Sequence, residues 1–270
     1  MKSAALVAML VLLAACGRES PEPATAGAAL ASVPYSPDSG SIAIQCGTLI
    51  DGLANEPPGI STVLIPAGRI ESVTACYSAP KGLPLLDLRG YTCLPGLIDM
   101  HTHVTETSQD TADMTVFMRR TPQEQADLSS RQAGETLRAG FTSIRNVGNY
   151  RAWADRDLRE AIDSGKVAGP RMQIVGYYLT IPNGGGDLVI PGTKPEEIPA
   201  EYHAGVARTA AEFRDKAQQA VDGGADALKV IASGAVLAHG GVPGSPEVDE
   251  ASLQAIGEVA RASGAKLAAH

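Results

Sequence analysis

Residues 93–104 read CLPGLIDMHTHV: a Pro-Gly pair, an apolar run, then His101 and His103 one residue apart in a chain with 5 histidines. An apolar run of this length behind a Pro-Gly break has the character of a buried β-strand. Side chains alternate on a strand, so His101 and His103 project from the same face. Everything downstream then decides what kind of sheet that strand enters.

Downstream the pattern alternates. TPQEQADLSSRQAGETLRAG has helical period, with Thr121 and Pro122 at its start and Gly140 at its end. FTSIRNVG reads as a strand, RAWADRDLREAIDSG as a helix and RMQIVGYYLT as a strand. A helix over GVARTAAEFRDKAQQAVDGGA, a strand over DALKVIASG, a helix over DEASLQAIGEVARASGA and a last strand over KLAAH complete the series. Strands alternating with helices imply βα units around a parallel sheet. The expected strands are 98–104, 142–148, 172–179, 227–233 and 266–270. The fold class is therefore α/β, and both histidines fall at the C-terminal end of the first strand, where βα barrels carry their active sites.

Upstream, residues 41–95 hold short β-prone runs broken by Gly and Pro, the pattern of a small β-sandwich domain beside the partial barrel of 96–270. Cys46, Cys76 and Cys93 lie on or beside these runs. The expected disulfide joins Cys46 to Cys76, with three buried thiols as the alternative. Residues 16–40 mix Pro, Ala, Ser and Gly and read as a flexible tether. Residues 1–15 carry Lys2 and an apolar run too short to span a bilayer, followed by Cys16. Leu13-Ala14-Ala15-Cys16 resembles a bacterial lipobox, which implies lipidation of Cys16 and an exported chain facing the periplasm. Gly17 in place of Asp favours the outer membrane by the same resemblance.

The net charge of −8 gives no field to attract nucleic acid, and aromatics at 4% leave little to stack on bases. No phosphate-binding GxxxxGK[ST] pattern exists, and TETSQDTADMT after the first strand is not a Gly-rich cofactor turn. These observations set aside a nucleic-acid partner and a phosphate- or cofactor-binding α/β domain.

On spacing alone, His101 and His103 are either the start of a divalent metal site or two structural histidines. Lys229, in the middle of DALKVIASG, is costly to bury as a cation. Burial favours its neutral amine, which can add to carbon dioxide as a carbamate; the alternative is a lysine that snorkels to solvent. His270 ends the last strand on the same side. Arg145 suits a substrate carboxylate or a local ion pair. One of Tyr177 and Tyr178 must face inward. His239 follows the fourth strand, as a substrate contact or a loop residue, and His203 reads as a surface residue before a helix. The Gly-rich YYLTIPNGGGDLVIPG either shapes a pocket or serves turns.

Together LPGLIDMHTHV, GFTSIRNVG, ALKVIASG and KLAAH resemble the amidohydrolase superfamily, in its imidazolonepropionase-like branch that includes Xaa-Pro dipeptidases. Asn146 stands where that branch usually has Asp. The resemblance implies a (β/α)8 TIM-barrel-type hydrolase beside a small β-sandwich. It implies one or two Zn²⁺ held by His101, His103, His270 and a carboxylated Lys229, the residue given the catalytic role. The implied reaction is hydrolysis of an amide or peptide C–N bond in a small molecule, a dipeptide or an N-acyl amino acid, by metal-activated hydroxide. Similar enzymes often form oligomers. The family's sixth-strand His and eighth-strand Asp have no counterpart among these residues, and about five strands do not close a barrel. The chain is therefore expected to be the N-terminal part of a longer enzyme with little activity alone; the alternative is a non-catalytic lipoprotein remnant that binds a ligand or partner.

Overall fold

The computed structural model describes residues 40–270 apart from 54, 58, 78–80 and 240. The expected signal peptide, almost all of the tether and the lipidation site at Cys16 lie outside the described residues. The chain divides into two compact units, at Pro95 and Gly96. Among the described residues no helix is long and apolar enough to cross a membrane.

The first unit is one mixed sheet of β1 (Ile42–Leu49), β2 (Gly59–Ile65), β3 (Ser72–Thr74) and β4 (Leu85–Cys93), in the order β3-β2-β1-β4. β1 pairs antiparallel with β2, which pairs antiparallel with β3; β4 joins the free edge of β1 in parallel. The expected sandwich is not seen among the described residues, where all four strands belong to one hydrogen-bonded sheet. The parallel β1–β4 pairing also corrects the disulfide. It sets Leu49 opposite Cys93 and brings Cys93 within 5.8 Å (Cα–Cα) of Cys46, so the bridge is Cys46–Cys93 and Cys76 is a free thiol.

The second unit follows the βα pattern. Its strands are β5 (Leu97–Thr102), β6 (Phe141–Asn146), β7 (Arg171–Gln173), β8 (Tyr178–Leu179), β9 (Ala227–Val230) and β10 (Lys266–Ala269). They form two all-parallel sheets, β5-β6-β7 and β8-β9-β10. The single strand expected over 172–179 is thus broken. The Val175 and Gly176 amides both donate to the buried Asp155 carboxylate at 3.1 Å instead of to a ladder, and Gly176 takes φ +80°. A residue with positive φ interrupts a strand, and glycine adopts it without the Cβ penalty. The Ile174 carbonyl still accepts from Asp226 N and Ala227 N, which carries the chain alongside β9.

The helices are α1 (Thr115–Arg119), α2 (Pro122–Arg138), α3 (Ala154–Asp163), α4 (Ala210–Asp222) and α5 (Glu250–Ser263). α2 begins as its sequence signals imply: Thr121 and Glu124 form a reciprocal capping box and Pro122 occupies the first turn. One core packs Ala133 of α2 and Leu158 of α3 against Ile144 and Met172. A second packs Phe213 and Ala217 of α4 and Ile256 and Val259 of α5 against Leu179, Leu228 and Val230. Burying a side chain the size of Phe213 stabilises the unit by roughly 2–3 kcal/mol. On β9, Leu228 and Val230 face this helical layer, so alternation turns Lys229 to the opposite side.

Candidate active site

That opposite side holds a cavity of 510 Å³. His101, His103, Lys229 and His270 all line it, brought from three strand ends that lie far apart in the sequence. The imidazoles of His101 and His103 lie 5.5 Å apart, with ring planes at 66°. Glu106, Gln132, Tyr150, Tyr178 and Gly185 also line it, while Leu237 and Ala238 reach it from the loop after β9.

Lys229 is 2% exposed. Burial, first, and the nearby Arg145 charge both lower its pKa, which moves it toward the neutral amine. His101 and His103 are also shifted down, first by burial. For His101 the charges of Lys229 and Arg145 follow; for His103 the Gly148 carbonyl partly opposes the shift. Neutral imidazole is the form that ligates a metal.

His103 Nδ1 lies 3.1 Å from the Gly148 carbonyl oxygen. A carbonyl only accepts, so that contact requires the proton on Nδ1 and leaves the Nε2 lone pair free. A second partner, the Tyr178 hydroxyl, approaches the same nitrogen. Gly148 is needed here: its φ is +134°, and a Cβ would run into the Tyr178 ring.

The remaining sequence candidates separate. Tyr178 faces the cavity, whereas Tyr177 points into the helical layer, donates to the Lys216 carbonyl at 2.9 Å and packs on Trp153. Arg145 donates from Nε to the Met100 carbonyl at 2.9 Å and acts on Lys229 and His101 through charge rather than from the cavity wall. His239 sits in the loop whose residues Leu237 and Ala238, not His239 itself, line the cavity. Gly185 of the Gly-rich stretch lines the cavity, and a Cβ on Gly186 would meet Tyr178 and Ile231, so close approach as well as turning requires these glycines. His203 is not a plain surface residue: it is half-buried with Nδ1 2.5 Å from Asp187 Oδ1.

Sequence reasoning missed the polar frame around the histidines. Asn146 accepts from the Val104 amide at 2.8 Å and donates to Asn149 at 2.7 Å and to Asp155 at 3.5 Å. Burial raises the pKa of Asp155. An amide at 146 donates to that carboxylate, where a second acid would repel it. Glu106 was missed too. Its carboxylate accepts from the Tyr150 amide, and burial raises its pKa to about 8. The one signal was its place in the loop just after His103.

Among the described residues, no group of three or more His, Cys, Asp or Glu side chains is gathered to hold a metal ion. The donors present suit one only when Lys229 is counted with them: neutral imidazoles, one with its Nε2 lone pair set free, and a buried amine on the same wall.

The Amidohydrolase family profile matches residues 92–270, which span the whole cavity wall. The ochratoxinase of Aspergillus niger is 26% identical over 188 residues, covering 66% of this chain and 38% of that protein. A Xaa-Pro dipeptidase with methionine in its active site superposes with a TM-score of 0.75 at 27% identity, over 85% of this chain and 56% of that one. A prolidase complexed with N-methylphosphonate-L-proline gives 0.72 at 26%, over 85% and 56%. The chain thus spans about two fifths of the curated relative and about half of each solved structure. A family match over this much of the chain, with the cavity inside it, makes the protein a member of the amidohydrolase family.

Proposed function

We propose that the protein containing these residues hydrolyses an amide or peptide C–N bond in a small molecule, a dipeptide or an N-acylated amino acid. The observation that carries this reading is the convergence of His101, His103, Lys229 and His270 on one cavity within the family-matched region. These four residues would hold one or two divalent ions, Zn²⁺ first among them. A bound ion of this kind lowers the pKa of a water and polarises the scissile carbonyl. The six strands of the second unit are read as the first five of a (β/α)8 barrel, with β7 and β8 as the two halves of the third. The two solved relatives, of which the chain covers 56% each, support that reading.

The chain's own residues supply the preparation. The Gly148 carbonyl and Tyr178 hydroxyl hold the His103 ring by Nδ1 and leave Nε2 free to ligate. The neutral Lys229 amine would attack carbon dioxide, forming an N–C bond and releasing one proton to solvent, to give a carbamate with two oxygen donors. The 510 Å³ cavity is large enough to enclose a dipeptide-sized molecule. The proposed place of action is the periplasmic face of a membrane, through a lipid on Cys16; labelling with a radioactive fatty acid, lost in C16S, tests it.

The activity is tested on the full-length protein with Zn²⁺ and bicarbonate, against panels of dipeptides and N-acyl amino acids. Release of free amino acid, abolished by a chelator and in H101N, is expected. No hydrolysis in either panel, with the metal shown to be bound, would leave a non-catalytic ligand-binding protein.

A further inference from the structure

Glu106 stands out among the groups that the proposed reaction does not use. It follows His103 in the loop after β5, and its own amide donates to the His103 carbonyl at 3.1 Å. One of its carboxylate oxygens accepts from the Tyr150 amide; among the described residues the other has no hydrogen-bond partner, and it opens into the cavity.

Among the described residues no cation forms an ion pair or hydrogen bond with it. Arg120, the arginine nearest in charge, is occupied by Asp110, with Nη1 and Nη2 at 3.2 and 3.0 Å from its two oxygens. The loop backbone that carries Glu106 is held in place. Gln132 Nε2 donates to the Val104 and Glu106 carbonyls at 3.1 Å each, and Gln125 Nε2 donates to the Thr105 carbonyl at 2.6 Å.

The walls beside the carboxylate are aromatic. Tyr150 and Tyr178 both line the cavity, 5.5 Å apart and edge to face. Their hydroxyls are engaged elsewhere, with the Gly185 carbonyl and with His103, and so do not compete for the open oxygen. A single open carboxylate oxygen in a cavity also lined by aromatic side chains is the chemistry that receives an ammonium group, by a charge-assisted hydrogen bond and cation–π attraction.

We propose that Glu106 is a specificity-determining residue that receives the ammonium group of a substrate with a free amino terminus, with Tyr150 and Tyr178 as the flanking walls. This deepens the hydrolase reading and rests on it for the word substrate. Of the two classes proposed above, it selects free-amine dipeptides over N-acylated amino acids.

The test separates binding from turnover. Isopentylamine and isopentanol differ only in the ammonium and hydroxyl ends, and neither can be hydrolysed. Titrated calorimetrically into the full-length protein at about pH 9, above the raised Glu106 pKa of about 8 and below the range of an alkylamine, the amine is expected to bind at least about tenfold more tightly than the alcohol. E106Q should erase that difference and leave the alcohol unchanged, and E106D should retain part of it. Equal binding of the two probes to the wild-type protein overturns the proposal, and so does a preference that survives in E106Q. Should E106Q fail to fold, the wild-type comparison together with E106D still decides. Absence of any amide hydrolysis would count against the hydrolase reading alone, because the probe titration does not require it. Where hydrolysis is found, the kcat/KM ratio of a dipeptide to its N-acetyl derivative should fall in E106Q.

Discussion

Tyr178 Oη and the Gly148 carbonyl oxygen each lie 3.1 Å from a single atom, His103 Nδ1. One nitrogen with two oxygen partners is held in both tautomer and orientation. Removing one partner loosens the ring without removing a proposed ligand. Y178F is therefore expected to fold normally and to bind Zn²⁺ about tenfold more weakly, the usual scale for a group that orients a metal-binding histidine. Calorimetric titration of both proteins with Zn²⁺ checks it; unchanged affinity would mean that Gly148 alone fixes the ring.

Lys229 gives a prediction about the metal-free protein. Its pKa is lowered in the folded chain, so above the lowered value and below the unfolded 10.5 the folded state binds fewer protons than the unfolded one. Stability then rises with pH through that window. K229M fills the same space without an ionisable group. It should remove this rise and, at pH 7, stabilise the metal-free protein by about 1 kcal/mol while ending any hydrolysis. Chemical denaturation of both proteins at neutral and alkaline pH reads out the sign.

Glu106 predicts the opposite slope. Its pKa is raised to about 8 from 4.5, so between those values the folded state holds a proton that the unfolded state has lost. Its contribution is present at low pH and falls away as pH rises toward 8, with a limiting slope of about 1.4 kcal/mol per pH unit. In the ligand-free protein E106Q should flatten that part of the stability profile. A profile identical to wild type would place Glu106 in a wetter environment than its walls imply.

The bridge between Cys46 and Cys93 closes a loop with a sequence separation of 47, which corresponds to roughly 4 kcal/mol in the chain-entropy account. C93S should destabilise the first unit by about 2–4 kcal/mol, whereas C76S should leave it nearly unchanged. Peptide mapping without reduction should recover 46 linked to 93 and an alkylated Cys76; a 46–76 link would contradict the strand pairing.

What the sequence made legible was local or periodic. The alternation that puts His101 and His103 on one face needs only neighbouring residues, and the capping of α2 by Thr121 and Glu124 needs only one turn. The cysteine pairing was hidden because it depends on β4 adding in parallel to β1 across nearly fifty residues, a choice that no local pattern encodes. Glu106 was hidden for a related reason. Its environment is made by Tyr150, 44 positions away, and by Tyr178 beyond that. Asn146 could be noticed as a departure, but its purpose emerges only beside the buried Asp155.

The break between β7 and β8 also acts as a phase shift. Met172 and Ile174 pack into the first helical core, yet past the break it is Tyr177 and Leu179 that pack into the second. The core-facing positions change from even to odd numbers across Val175–Gly176, and that change is what delivers Tyr178 to His103. A straight strand would bring Tyr177 to the cavity instead. Straightening this segment without removing a residue would therefore exchange the two tyrosines without altering either, so the break in this short segment is as much a part of the site as the residues that line it.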